Sequence, residues 1–113
     1  MEIIRSKISI KKLEKMASKK FGNLVKTVVD VEKEIMVVDA ELHSDQEALL
    51  ISEGSKQENL WGINLYPGLK GEDFIEFDSM INIRPSTNNI SRSVDDSETR
   101  EKIVKIVEKL VEK

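Results

Sequence analysis

Hydrophobic and polar positions recur along the chain with two periods, and these divide it into elements. Residues 2–5 (EIIR) read as a short strand. Ile10, Leu13, Met16, Ala17 and Phe21 then return every three or four residues, the stripe of an amphipathic helix. Ser9 stands where that helix needs its cap. Ile8 and Leu13 occupy the ends of a hydrophobic staple, and Gly22–Asn23 supply the stop. Period two takes over in LVKTVVDV and IMVVDAEL, on either side of Glu32–Lys33. For Val25, Thr27, Val29 and Val31 to share a face with Met36, Val38, Ala40 and Leu42, odd positions must oppose even ones. An even loop of two or four residues does this, setting Val29 opposite Met36 and Lys26 opposite Asp39.

The second half repeats the scheme. Ser44 and Glu47 have capping-box spacing, and Gly54 follows as the stop of a short helix. LWGINLY is a third β region, closed by Pro67–Gly68. From Ile75 to Arg84, residues Ile75, Phe77, Ser79, Ile81 and Ile83 alternate with Glu76, Asp78, Met80, Asn82 and Arg84. That pattern is one long, bent strand, or two strands broken at Asp78–Ser79. Asp95 and Glu98 mark the start of a closing helix that buries Ile103, Ile106, Val107, Leu110 and Val111. The order β-α-β-β-α-β-β-α predicts a single α+β domain over residues 1–113. The expected form is a two-layer sandwich, a mostly antiparallel four- to five-stranded sheet with three helices on one face.

Composition narrows the chemistry. With 39% hydrophobic residues the 113-residue chain can build a core, and with no cysteine it has neither disulfides nor a thiolate nucleophile or ligand. The single His leaves a multi-histidine metal site to several chains. Charged residues reach 35%, above the roughly 25% that is usual, and Lys and Glu far outnumber Gln, a tendency of thermophile proteins. The net charge of −3 is unevenly spread: residues 1–26 carry +6, residues 27–78 carry −10 and residues 79–113 carry +1. The acidic balance disfavours general nucleic-acid binding. Lys11, Lys12, Lys15, Lys19 and Lys20 share one predicted helix, as its solvated face or as a surface for an anionic lipid or nucleic acid. No apolar run approaches the roughly 18 residues of a membrane span, and no signal-peptide core is present, so the cytoplasm is the expected compartment.

Three places hold candidate chemistry. The sheet face away from the helices would display Lys26, Asp30, Asp39, Glu41, Asn64, Tyr66, Glu76, Asp78, Asn82 and Arg84. It reads as a solvated face or as a polar groove whose carboxylates do acid–base work. Asp39, Glu41 and His43 follow at alternate positions, ligands of a kind suited to Ca²⁺ or Mg²⁺, although Lys26 opposite Asp39 opposes a cation. The third place is the loop after the alternating segment. It holds Arg84, Asn88, Asn89, Ser91 and Arg92, two cations and no acid, and leads to a helix N-terminus, a combination that favours phosphate or carboxylate. Tyr66 is the contact candidate on the third β region, and Trp61, on the opposite face, belongs to the core.

The blocks DVEKEIMVVDAELHSD, LWGINLYP and FIEFDSMINIRPSTNNISR resemble the central blocks of a family of short prokaryotic proteins classed as a domain of unknown function. The resemblance covers nearly the whole chain and implies a small, stand-alone cytoplasmic protein. It brings no assigned reaction and therefore no catalytic residue. No nucleophile–base set, glycine-rich phosphate loop or zinc-protease motif is present. The expected function is a binding module, without cofactor or catalysis of its own, for a small anionic ligand or a partner protein, with a homodimer as one form. A small enzyme, or a Ca²⁺- or Mg²⁺-binding protein using the carboxylates of the open face, is the alternative.

Overall fold

Two apolar surfaces on opposite sides of one sheet decide the architecture. A computed structural model describes residues 1–113, with strands β1 (Glu2–Ile4), β2 (Ile8–Ser9), β3 (Val25–Asp30), β4 (Ile35–Val38), β5 (Leu60–Leu65), β6 (Ile75–Glu76) and β7 (Val111–Glu112). The helices are α1 (Ile10–Lys19), α2 (His43–Ser52) and α3 (Ser97–Leu110). The main sheet runs β1-β4-β3-β5-β6 with every neighbour antiparallel, and β2 and β7 form a small parallel pair. The fold is α+β, as the patterning predicts.

The larger core lies between the sheet and α1 with α3. Val25, Val29, Met36, Val38, Ile63 and Leu65 face Leu13, Met16 and Ala17 of α1 and Ile103, Ile106, Val107 and Leu110 of α3. Ser9 caps α1 as expected, its side chain accepting from the Lys12 N–H. Gly22 adopts φ +93, which a side chain would resist, and its N–H closes the helix on the Ala17 C=O at 2.6 Å. The β3–β4 register is the expected one: Val29 opposes Met36, across a four-residue turn between Asp30 and Ile35. The buried Asp30 carboxylate holds that turn, accepting from the N–H groups of Glu32 (2.9 Å) and Lys33 (3.0 Å) and from the Ser55 hydroxyl (2.6 Å).

Four expectations are corrected. First, the helices do not share a face, since α2 lies across the sheet from α1 and α3. Its fully buried Leu50 packs on Val28, Ile35, Val37 and Leu60, a second core. In the sequence Val28 and Val37 look like interruptions of a polar face; they are the apolar floor for α2. Second, α2 starts at His43 with Leu42 in the cap position and no side-chain cap, because Ser44 already lies inside the helix. Third, β4 ends at Val38, since Asp39 takes a left-handed φ of 68 and leaves the ladder. Fourth, the alternating segment pairs only through β6. It then rises over β5 and tightens into a 3-10 turn at Met80–Asn82. One further shift is small: α3 is capped by Asp96, which accepts from Thr99, one residue beyond Asp95.

β5 and the crossing segment meet at Gly62. A side chain there would lie 2.5 Å from Cβ and Oγ of Ser79, so the glycine is required by close approach. The main chain of 79–82 does not pair with β5 as a strand. Instead the Asn82 amide does so, accepting from the Gly62 N–H at 2.8 Å and donating to the Gly62 C=O at 2.9 Å. One side chain thereby occupies both hydrogen-bonding groups of an edge residue, at no exposure to solvent.

Candidate functional site

The alternation of β3 and β5 sends Lys26, Asn64 and, past the end of β5, Tyr66 to the side on which α2 packs. α2 covers only part of that side. Its first residue, His43, lies beside the β5 end of the sheet, with Nε2 2.8 Å from the Ile63 C=O. A carbonyl only accepts, so Nε2 carries the proton. His43 is 8% exposed, and burial lowers its pKa below the ordinary 6.5, with Lys26 and Arg92 adding to that and the Ile63 bond and Asp78 opposing it. The ring is therefore neutral at pH 7. Its Nδ1 keeps a lone pair that no group of the chain occupies.

Two separate sets of polar groups belong to the same region as His43. The Asn64 amide donates to Glu76 Oε1 at 2.9 Å and the Tyr66 hydroxyl donates to the same oxygen at 2.9 Å. Partial burial, the bond to Glu76 and the charges of Glu76 and Asp78 raise the Tyr66 pKa, so the phenol stays protonated. Asn64 is buried and its Oδ1 has no partner, as is true of Gln46 Oε1 one helical turn from His43. Arg92 Nε donates to Asp78 Oδ1 at 2.6 Å. Both members of that pair are well exposed, at 56% and 39%, so it contributes at most about 1 kcal/mol and a competing anion can displace it.

The residues expected to bind a ligand separate into two groups. Tyr66 belongs to the set built on Glu76, and Arg92 to the pair with Asp78. Arg84 does not: its guanidinium lies 4.6 Å over the Trp61 ring, donates to the Leu60 and Ile81 C=O groups and stands 4.0 Å from Glu47. Only 11% of its side chain is exposed, and desolvation pulls its pKa down against the pull of Glu47. It ties α2 to the β5 edge. Asn89 is buried and bonds the C=O groups of Asn82, Ser91 and Ser93 and the N–H of Asp95, which fixes the loop from within. Ser91 donates to Asp95 at 2.6 Å, and Asn88 is the exposed left-handed residue that ends the 3-10 turn of Pro85–Thr87. The donors of Asn89 and Ser91 are thus taken up by carbonyl and carboxylate oxygens of the loop and its flanks.

Asp39, Glu41 and His43 are not brought together. Asp39 turns to Lys20, 2.8 Å away, Glu41 is exposed, and His43 is committed to Ile63. The reason is the end of β4 at Val38, which removes the alternation that would have aligned them. No three His, Asp or Glu side chains anywhere are placed to hold a metal ion. Sequence reasoning missed His43 as a buried neutral base: of the stripe it shares with Gln46 and Leu50 only Leu50 is apolar, so nothing in the local pattern marks residue 43 as facing inward.

A pH series follows from His43. Its folded pKa lies below its unfolded one, so the unfolded chain takes up the proton first and stability falls as pH drops through 6.5. Thermal melts between pH 8 and 5 should show a decline that His43→Gln flattens. An unchanged decline in that variant would place the titrating group elsewhere.

No helix is long and apolar enough to cross a membrane. No curated protein and no solved structure matches the chain. One family model does, over residues 2–110, nearly the whole of the fold just described. The chain belongs to the family described as "Protein of unknown function (DUF5674)".

Proposed function

We propose that the protein is a binding module for a small anionic ligand, taken at the start of α2. The observation that carries this reading is His43, a nine-tenths-buried neutral histidine with a free ring nitrogen in the field of Lys26, Asp78 and Arg92. Such a site suits a ligand with a phosphate or carboxylate for the two cations and a hydroxyl or amine to donate to Nδ1. The first turn of α2 has no side-chain cap, so its N–H groups add a positive end to the same region. Asp45 in that turn offsets part of this field, which favours a ligand of modest charge. Arg92 reaches the anion by leaving its exposed pair with Asp78.

The test is an NMR titration of the whole protein with inorganic phosphate and with a small hydroxycarboxylate. Amide shifts at residues 26, 43–46 and 92 are expected, and Lys26→Ala should weaken them by about tenfold or more, as loss of a charge-assisted contact does. Shifts confined to residues 84–91, or none, would overturn the reading.

A further inference from the structure

On the other side of the molecule, at the outer margin of the sheet, an open groove of about 890 Å³ runs between β6 and α3. Its floor is apolar, formed by Phe74, Ile75 and Phe77 from the sheet edge and Val104, Val107 and Val111 from the C-terminal part of the fold. It plays no part in the site at α2. We propose that this groove is the surface on which two copies of the chain dock, β6 against β6.

Three observations point to a second copy rather than another occupant. The first is the strand edge. The Tyr66 N–H donates to the Phe74 C=O at 2.9 Å, and Asn64 opposes Glu76, so residues 74 and 76 turn their main-chain groups inward to β5. Alternation then turns those of Ile75 outward, unpaired, beside the groove. β1, the opposite margin of the sheet, carries Glu2 paired with Lys12 at 3.0 Å and is followed by Arg5 beside Glu53 at 3.6 Å, charges that guard an edge. At the β6 margin the carboxylates are engaged elsewhere: Glu76 accepts from Asn64 and Tyr66, and Asp78 accepts from Arg92.

The second observation is the rim. Glu72, Glu101 and Glu108 are matched by Arg100, Lys105 and Lys113. A strongly acidic or basic partner would find no net charge to meet. A two-fold axis requires a surface complementary to itself, and equal numbers of both signs along one groove meet that condition. The third is direction. Two-fold pairing of identical edge strands is antiparallel, the sense of every pairing already in the main sheet, so the five-stranded sheet would continue into that of the second copy. The long α3 helices would flank the seam and cover the partly exposed Ile75 and Phe77, as an apolar interface centre with a charged rim requires.

Sedimentation of the full chain tests this. The expected mass is twice 12.9 kDa, falling to the monomer on dilution. Reversing one half of the rim, in Glu72→Lys/Glu101→Lys/Glu108→Lys, and the other half, in Arg100→Glu/Lys105→Glu/Lys113→Glu, should each weaken self-association by about a hundredfold or more through like-charge contact. Mixing the two variants should restore a dimer containing one of each. Phe77→Asp, which leaves α3 untouched, should also give a monomer, with circular dichroism confirming that each variant is folded. A wild-type chain that stays monomeric up to about 1 mM, or a dimer that survives these substitutions, overturns the proposal.

Discussion

Asn82→Leu is expected to remove about 4 kcal/mol of stability, read as a lower urea midpoint at unchanged slope. The size follows from what the amide holds. It pairs with both the N–H and the C=O of Gly62, and its Nδ2 also donates to the Arg92 C=O at 3.0 Å. Leucine keeps the volume and leaves the N–H and the C=O of Gly62 without their partner in a site closed to solvent, while the Arg92 C=O keeps the Ser79 N–H. Each orphaned buried group costs about 1–3 kcal/mol. Against a typical total of about 5–15 kcal/mol, the variant is left marginal. The Asn89 side chain donates to the Asn82 C=O at 2.8 Å, so the loss should spread along the loop to Asp95. A change below about 1 kcal/mol would mean that water enters and satisfies Gly62, and that the edge is not sealed as described.

The second large effect belongs to the residue facing that amide. Gly62→Val puts a β-branched residue into the middle of a strand, where propensity alone favours it by up to about 1 kcal/mol. Packing reverses the sign. A Cβ at 62 meets Ser79 Cβ and Oγ at 2.5 Å, and Ile81 Cγ1 at 3.2 Å. Ser79 has little room to yield, because its N–H donates to the Arg92 C=O at 3.0 Å and its hydroxyl accepts from the Ile81 N–H at 3.3 Å. Gly62→Ala should therefore cost about 3 kcal/mol, the upper range of overpacking, and Gly62→Val should not fold at 25 °C. The steric cause has its own check. Ser79→Gly removes the atoms in conflict, and in the double variant with Gly62→Ala the two costs should add to less than their sum. Full additivity would locate the cost of Gly62→Ala elsewhere.

These two residues show where the pattern of the sequence stops being informative. The hairpin register was legible because parity is a strict condition: one slip would carry Asp39 and Glu41 to the face of Val25 and Val29. The stripe of α3 was legible for a similar reason: Ile103, Ile106, Val107 and Leu110 are buried on it, and Val111, expected to end the helix, is buried just beyond it in β7. The segment after Ile75 kept period two and still left the sheet, because an amide side chain took over the pairing that alternation implies. The side of the sheet on which α2 lies was equally hidden. Its stripe is His43, Gln46 and Leu50, two of them polar, and their burial depends on the main-chain carbonyls of Ile63, Lys26 and Val37 that no local pattern reveals. The candidate site suffered from the same blindness. Arg84 and Asn89 have the composition of a ligand loop, but their donors are spent on carbonyls, those of Asn82, Ser91 and Ser93 for Asn89 and those of Ile81 and the distant Leu60 for Arg84. Arg92, in the same loop, kept an exposed pairing.

The small parallel pair of β2 and β7 has a consequence for the order of folding. Ile8 opposes Val111, and Ser9 opposes Glu112, so the pairing closes a circuit that includes nearly every other element. The antiparallel hairpin of β3 and β4 closes across four residues and can form early. The β2–β7 clasp has to wait until the sheet has formed and α3 is seated, because it gains only two residue pairs for the entropy of bringing distant segments together. Once closed, it joins the residue that caps α1 to the end of α3. The two helices over the larger core are then held at their junction, and opening either one in the native state means opening the clasp that secures both.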